Sequence, residues 1–161
     1  MQITLLGASG FIGRHLAAHL RRRGDTVLTG SLRPGTAQAA AQLCAGSDVV
    51  VNLAGAEVAK RWTPAHKAEI RGSRVDRTRE LIAELGKLPE TARPQAYVVS
   101  SAIGYYGTSE TATFTEGNGP GDNFLAETCV ALEHEAERVR SRGCDLRFCA
   151  SGLSWALTAA P

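Results

Sequence analysis

The strongest chemical signal in the chain is a set of three glycines, Gly7, Gly10 and Gly13, within the run Gly7-Ala8-Ser9-Gly10-Phe11-Ile12-Gly13. Each spacing has a use. The backbone turns sharply at Gly7, a pyrophosphate approaches the bare main chain near Gly10, and a helix packs closely on a strand at Gly13. A side chain would obstruct each task. A helix that starts just beyond Gly10 would also aim unpaired N–H groups and a partial positive charge at the phosphates. The chemistry indicated is dinucleotide binding.

The residues after the loop bear on which dinucleotide. Enzymes that use NAD place a carboxylate roughly 20 positions beyond the glycines, where it binds the ribose 2′-hydroxyl. Here that neighbourhood reads Gly30-Ser31-Leu32-Arg33, without a carboxylate. Arg33 suits a 2′-phosphate, and Arg14 at the end of the loop could assist, so NADP(H) is favoured and NAD(H) remains possible. The plainer reading of Arg33 is a solvated arginine. His15 and His19 have a spacing that suits a metal, but no third ligand stands near, so no metal is expected. Glu110, Glu116 and Asp122 suit either a hydroxylated substrate or solvent.

These residues need a scaffold that puts them at one edge. Ile3–Leu6 reads as a short buried strand, and Phe11–Arg23 as a helix with Ile12, Leu16 and Leu20 on one face. Thr26–Thr29, Asp48–Leu53, Ala96–Ser101 and Leu146–Cys149 read as further strands. The continuous apolar centre of Asp48–Leu53 suits a strand covered on both faces. Thr63-Pro64 is a helix start, and the pattern runs to about Leu85 with a break expected near Gly72. Asn123–Arg142 is the last long helix. Strands alternating with helices predict an α/β, doubly wound parallel sheet of Rossmann-like type. The loop Gly104–Asp122 is long for a structureless connection and would border the ligand crevice.

Composition excludes several classes. The chain of 161 residues is the size of about one domain, and 43% hydrophobic with 21% charged content is ordinary for a folded protein. A formal net charge of +2 gives no reason to expect a nucleic-acid partner. No apolar run is long enough for a membrane span, and MQITLLGASG is not a signal peptide. Cys44, Cys129, Cys144 and Cys149 form no CxxC pair, and they read as reduced thiols of a cytoplasmic protein. The oligomeric state is left open.

Five segments together resemble one branch of a known superfamily: GASGFIGRHL at 7–16, VVNLAGAEV at 50–58, RWTPAHKAEIRGSRVDRT at 61–78, VVSSAIGYYG at 98–107 and TEGNGPGDNFLAETCVALEHEA at 115–136. The resemblance is to the atypical extended short-chain dehydrogenase/reductases of the NAD-dependent epimerase/dehydratase superfamily. The branch is that of nucleoside-diphosphate-sugar epimerase-like "epimerase family proteins", and the likeness spans about residues 1–150. It implies a Rossmann domain holding NADP(H) or NAD(H), whose cofactor loop comprises Gly7, Ala8, Ser9, Gly10, Phe11, Ile12 and Gly13. It also implies that Leu53, Ala54 and Gly55 lie against the adenosine and ribose, and that Ser100 and Ser101 close a strand beside the nicotinamide. Arg61 is a further candidate for a phosphate, or a surface residue beside Trp62.

Hydride chemistry in that superfamily ordinarily uses a Ser or Thr, a Tyr, and a Lys four residues later. Alignment puts Phe124 at the tyrosine and Thr128 at the lysine, and neither does that acid–base work. Counting back from Gly107 puts Ala102 at the serine, whereas counting along the strand offers Ser101. The substitutes on hand are Ser101 with Tyr105 or Tyr106, and Lys67; ring packing and a solvated lysine are the plainer readings. The resemblance implies an NAD(P)-dependent epimerase or oxidoreductase acting on a small hydroxylated, sugar-like substrate. The alternative is a non-catalytic dinucleotide-binding module, such as a redox sensor, or an inactive truncated remnant. Arg33–Ala45 supplies a helix but no strand, so the expected sheet lacks the third strand, with order 2-1-4-5-6 in the usual count. Residues 1–161 read as one truncated cofactor domain without a C-terminal substrate domain, and Ala150–Trp155 departs from the family's Arg-x-Gly-x-Val-Leu.

Overall fold

A computed structural model of the protein describes residues 1–151. The departure read across Ala150–Trp155 therefore lies mostly outside the described residues. Five strands, β1 (Gln2–Leu6), β2 (Thr26–Gly30), β3 (Val49–Asn52), β4 (Ala96–Ala102) and β5 (Asp145–Ser151), form one sheet in the order β2-β1-β3-β4-β5. Every neighbouring pair is parallel. The connections carry α1 (Phe11–Arg22), α2 (Ala37–Cys44), α3 (Pro64–Leu85) and α4 (Phe124–Glu137).

The order reverses at β1. One crossover goes to β2, and the next passes back across β1 to β3, so β1 and β3 flank the topological switch point. Among the described residues the usual third strand is absent, as the short 33–48 segment predicts. Thr36 Oγ1 closes a turn on Arg33, accepting from its N–H at 2.8 Å and donating to its carbonyl at 2.9 Å. The chain then enters α2 directly.

Side chains alternate across each strand, and each face meets different helices. Leu6, Val50, Tyr97, Val99 and Leu146 pack with Ala40, Ala41 and Cys44 of α2, Val75, Leu81 and Leu85 of α3, and Leu132 and Ala136 of α4 in one core. Ile3 and Leu5 point the other way and are buried with Ala17 and Leu20 on the α1 side. Helices on both faces make the sheet doubly wound.

Three sequence expectations change in detail. The helix from Pro64 is continuous through Gly72, because Ile70, Val75, Thr78, Leu81 and Leu85 keep one stripe buried along its length. The α-helix expected to reach Arg142 ends at Glu137, and a 3-10 turn, Arg140–Arg142, leads to the left-handed Gly143. The loop after β4 is not structureless. It opens with a 3-10 turn, Ile103–Tyr106, and is pinched where the Gly121 N–H donates to the Tyr105 carbonyl at 2.8 Å. A Cβ on Gly121 would stand 2.7 Å from the Gly107 Cα, so the two limbs of the loop touch there. Within the tip, Ser109 Oγ accepts from the Ala112 N–H at 2.9 Å, and Asn118 Oδ1 accepts from the Thr115 N–H at 2.7 Å.

Candidate functional site

The glycine loop is held by backbone contacts on both sides. The Gly7 N–H donates to the Gly30 carbonyl at 3.2 Å, and the Gly10 N–H turns back to the Gly7 carbonyl at 3.1 Å. Gly7 has φ +84°, and a Cβ there would meet the Leu53 carbonyl carbon and the Ala54 nitrogen at 2.8 Å. A Cβ at Gly13 would stand 2.4 Å from the Gly7 oxygen. At Gly10 the only close atom would be the Gly7 oxygen at 3.4 Å, an ordinary contact.

The start of α1 differs from those of α3 and α4. Thr63 caps α3 by accepting from the His66 N–H, and Asn123 caps α4 by accepting from Leu125 and Ala126. Gly10 caps α1 with no side chain, and no acidic residue occupies the first turn. The first N–H groups of α1 are thus left for an outside acceptor, and the helix dipole favours an anion.

Opposite the loop, a buried polar cluster fixes the chain after β3. Asn52 donates from Nδ2 to the Tyr97 hydroxyl at 2.8 Å and to Thr78 Oγ1 at 3.3 Å, and its Oδ1 accepts from the Ala54 N–H at 3.1 Å. Burial drives the Tyr97 phenol well above its ordinary range, so it remains neutral here. One step on, Ser73 Oγ accepts from the Ala56 N–H at 2.9 Å, while Arg74 Nη1 donates to the Ala56 carbonyl at 3.0 Å. The Ser-Arg pair of α3 therefore holds both sides of one peptide residue. Burial pulls the Arg74 guanidinium below its ordinary value, and a Cβ on Gly55 would lie 2.7 Å from its Cζ. Sequence reasoning missed Arg74, although one signal existed: it is four residues from both Ile70 and Thr78 in an otherwise uncharged stripe.

Between these two walls lies a cleft of about 510 Å³, lined among others by Gly7, Ser9, Arg33, Ala54, Ser73 and Arg77. Leu53, Ala54 and Gly55 carry the chain along its far side, and Ser31 and Arg33 stand at the end of β2. The arrangement fits a dinucleotide: bare backbone, free N–H groups at the start of α1, and Arg33 in the lining beside the end of β2. Glu69 also borders the cleft, and His66 pairs with it at 2.9 Å.

The residues expected to act on a substrate fall in two groups. Ser100 and Ser101 project to opposite faces of β4. Ser101 is buried and donates to Glu133 Oε1 of α4 at 2.5 Å, whereas Ser100 is half-buried beside Ser151 Oγ at 3.2 Å. Tyr105 and Tyr106 meet edge-on at 5.1 Å, and Tyr106 stacks on Phe114 at 5.8 Å. Both tyrosines are half-buried. Thr128 donates to the Phe124 carbonyl at 2.7 Å inside α4. His15 donates from Nδ1 to the Phe11 carbonyl at 2.9 Å, within its own helix. Among the described residues no three His, Cys, Asp or Glu side chains gather as metal ligands.

A parallel sheet reversing at β1, with an uncapped helix start and a glycine loop over the switch point, defines a Rossmann-like nucleotide-binding domain. The sequence model of the NAD dependent epimerase/dehydratase family matches residues 3–150, and the chain belongs to that family. It is 39% identical over 153 residues to the chloroplastic epimerase family protein SDR39U1 homolog of Arabidopsis thaliana, covering 84% of this chain and 44% of that protein. The crystal structure of human epimerase family protein SDR39U1 with NADPH superimposes with a TM-score of 0.72 at 32% identity, covering 84% of this chain and 48% of that one. A nucleoside-diphosphate sugar epimerase from Corynebacterium glutamicum gives a TM-score of 0.74 at 27% identity, covering 93% of this chain and 33% of that one. The chain spans about half the length of the curated relatives it matches. Among the described residues no helix is long and apolar enough to cross a membrane.

Proposed function

We propose that the chain binds NADP(H) in the cleft between β1 and β3 and serves hydride transfer on a small hydroxylated, sugar-like substrate. The observation that carries this reading is the uncapped start of α1, set between Gly7 and Gly13, which leave no room for a Cβ. Gly7, Ala8, Ser9, Gly10, Phe11, Ile12 and Gly13 would hold the pyrophosphate. Leu53, Ala54 and Gly55 would lie along the adenosine and ribose, with Arg33 toward a 2′-phosphate and Ser100 toward the nicotinamide side. NADPH in the human relative's crystal structure supports the preference over NAD(H).

The nicotinamide, when bound, supplies hydride exchange. The protein's part is to hold the substrate and to move its hydroxyl proton, which falls to the phenolic Oη of Tyr105 or Tyr106 in the turn after β4. Ser101 would contribute from beside them, its hydroxyl ordered by Glu133. A sugar-like substrate is supported by the Corynebacterium glutamicum relative, a nucleoside-diphosphate sugar epimerase. Cytoplasmic placement accords with four free thiols, Cys44, Cys129, Cys144 and Cys149.

The test is a fluorescence titration with NADPH and, separately, with NADH, on wild-type protein and on Gly10→Asp. NADPH should bind more tightly than NADH, and the added carboxylate should abolish both. A folded wild-type protein that binds neither overturns the cofactor reading. For the chemistry, a Tyr105→Phe, Tyr106→Phe double variant that keeps NADPH-dependent turnover of sugar-nucleotide candidates removes the tyrosines from the mechanism.

A further inference from the structure

Lys67 stands where two helices begin. Its Nζ is 5.7 Å from the centre of the Trp62 ring and 5.2 Å from that of Phe124, the first residue of α4. The two rings meet edge to face at 5.6 Å, and the Trp62 indole N–H donates to the Val58 carbonyl at 2.8 Å, which fixes the outer wall. The lysine is half-buried between aromatic faces. Among the described residues no carboxylate lies within ion-pair distance of it, and the neighbouring Glu69 is paired with His66 at 2.9 Å. An ammonium carries three donors and ring faces accept only its charge, so Nζ keeps hydrogen bonds to give.

Topology gives this cluster its place. In a parallel sheet the helices following β3 and β4 start at the carboxyl edge, where the ligand crevice opens. Ser31 and Arg33 stand after β2, on the adenosine side of the switch point. Trp62, Lys67 and Phe124 lie beyond β3, on the side where the second nucleoside of a dinucleotide must run. A flat ring with a carboxamide and a hydroxylated sugar is what aromatic walls around one cation with free donors would accept. The position four residues into α4 offers no such group, because the Thr128 hydroxyl is spent on the Phe124 carbonyl at 2.7 Å.

We infer that Lys67, brought from α3 and steadied by Trp62 and Phe124, is the cation that holds the nicotinamide riboside half of the cofactor by hydrogen bonds from Nζ. The inference rests on the cofactor reading above and adds a residue and a subsite to it.

Two probes separate the halves of the cleft: NADPH, and 2′,5′-ADP, which keeps the phosphorylated adenosine and lacks the nicotinamide riboside. Lys67→Met keeps the aliphatic stem between the rings and removes the charge and the donors. It should weaken NADPH about ten-fold or more, the loss of one charge-assisted hydrogen bond, and leave 2′,5′-ADP within about two-fold. Lys67→Arg should restore NADPH to within about three-fold of wild type. Unchanged NADPH affinity in Lys67→Met, or equal weakening of both probes, overturns the assignment while the cofactor reading stands. Wild-type protein that binds neither probe overturns both.

Discussion

Gly10 and Gly13 stand three residues apart in one loop, yet the structure separates what each does. Consider alanine at each position. A Cβ at Gly13 would lie 2.4 Å from the Gly7 oxygen and 2.7 Å from the Ala8 Cα, where ordinary contact begins at 3.4 Å. About 1 Å must be found, and both neighbours are backbone, so α1 has to move away from the loop. That motion lifts Ala17 and Leu20 from Ile3 and Leu5, with an overpacking cost of about 1–3 kcal/mol. Replacing glycine inside a helix returns roughly 1 kcal/mol, leaving a net loss of up to about 2 kcal/mol. At Gly10 the backbone, φ −71° and ψ 170°, already suits alanine, and the nearest atom to the new Cβ would be an ordinary 3.4 Å away. The cost there is the poorer helix cap, about 1 kcal/mol or less. Gly10→Ala should therefore fold nearly as well as wild type while losing NADPH affinity about ten-fold or more, because its methyl occupies the phosphate approach. Gly13→Ala should lose both stability and affinity. Urea unfolding by circular dichroism gives the first quantity and NADPH titration the second. If Gly10→Ala bound NADPH as wild type does, the start of α1 would not be the phosphate site. If Gly13→Ala were more stable than wild type, by the roughly 1 kcal/mol that helix propensity alone returns, the contact argument would be wrong.

Other outcomes follow from groups away from the loop. Tyr97→Phe leaves one Asn52 N–H without its 2.8 Å partner in the core; it should cost about 1–3 kcal/mol in urea unfolding and weaken NADPH through a looser Ala54. Burial raises the Glu135 carboxyl, but hydrogen bonds from Arg138 and Arg79 outweigh it and hold the group below its ordinary 4.5. A carboxylate with a lowered folded-state pKa stabilises fully above the unfolded value and loses that contribution as pH falls through the folded one. Glu135→Gln should thus be less stable than wild type at pH 7, by about 1 kcal/mol with both arginines half exposed, and the two unfolding curves should converge as pH falls through the folded-state value, below 4.5. A gap that persists or widens in acid would contradict the assigned ion pairs.

What the sequence disclosed was what local pattern controls. Strand–glycine–helix order located the glycine loop between β1 and α1, and the short interval from Leu32 to Val49 exposed the missing strand by arithmetic of chain length. The steric reason for Gly13 lies within a few residues, at Gly7 and Ala8, whereas the atoms that exclude a Cβ at Gly7 come from Leu53 and Ala54, and Gly10 was readable only through its spacing. Ser101 was harder: a strand alternates faces at every residue, so a one-residue ambiguity in alignment decides between the α4 face and its opposite. The clamp of Ser73 and Arg74 on Ala56 joins segments 17 and 18 residues apart, and its only trace was a charged residue within an apolar stripe. The meeting of Lys67 with Phe124 spans two crossovers, and no periodicity reports a contact of that kind. It arises because parallel strands deliver successive helix starts to the same edge.

The pinch between Gly107 and Gly121 has a consequence for how such a chain can diversify. A segment whose ends are already joined pays for extra length only logarithmically, about 0.6 kcal/mol for each doubling. Residues between the two glycines can be inserted, deleted or exchanged while the strand and helix on either side keep their spacing. The tip is therefore a cheap place for natural variation to accumulate, and for a library to explore new ligands without first repairing the scaffold.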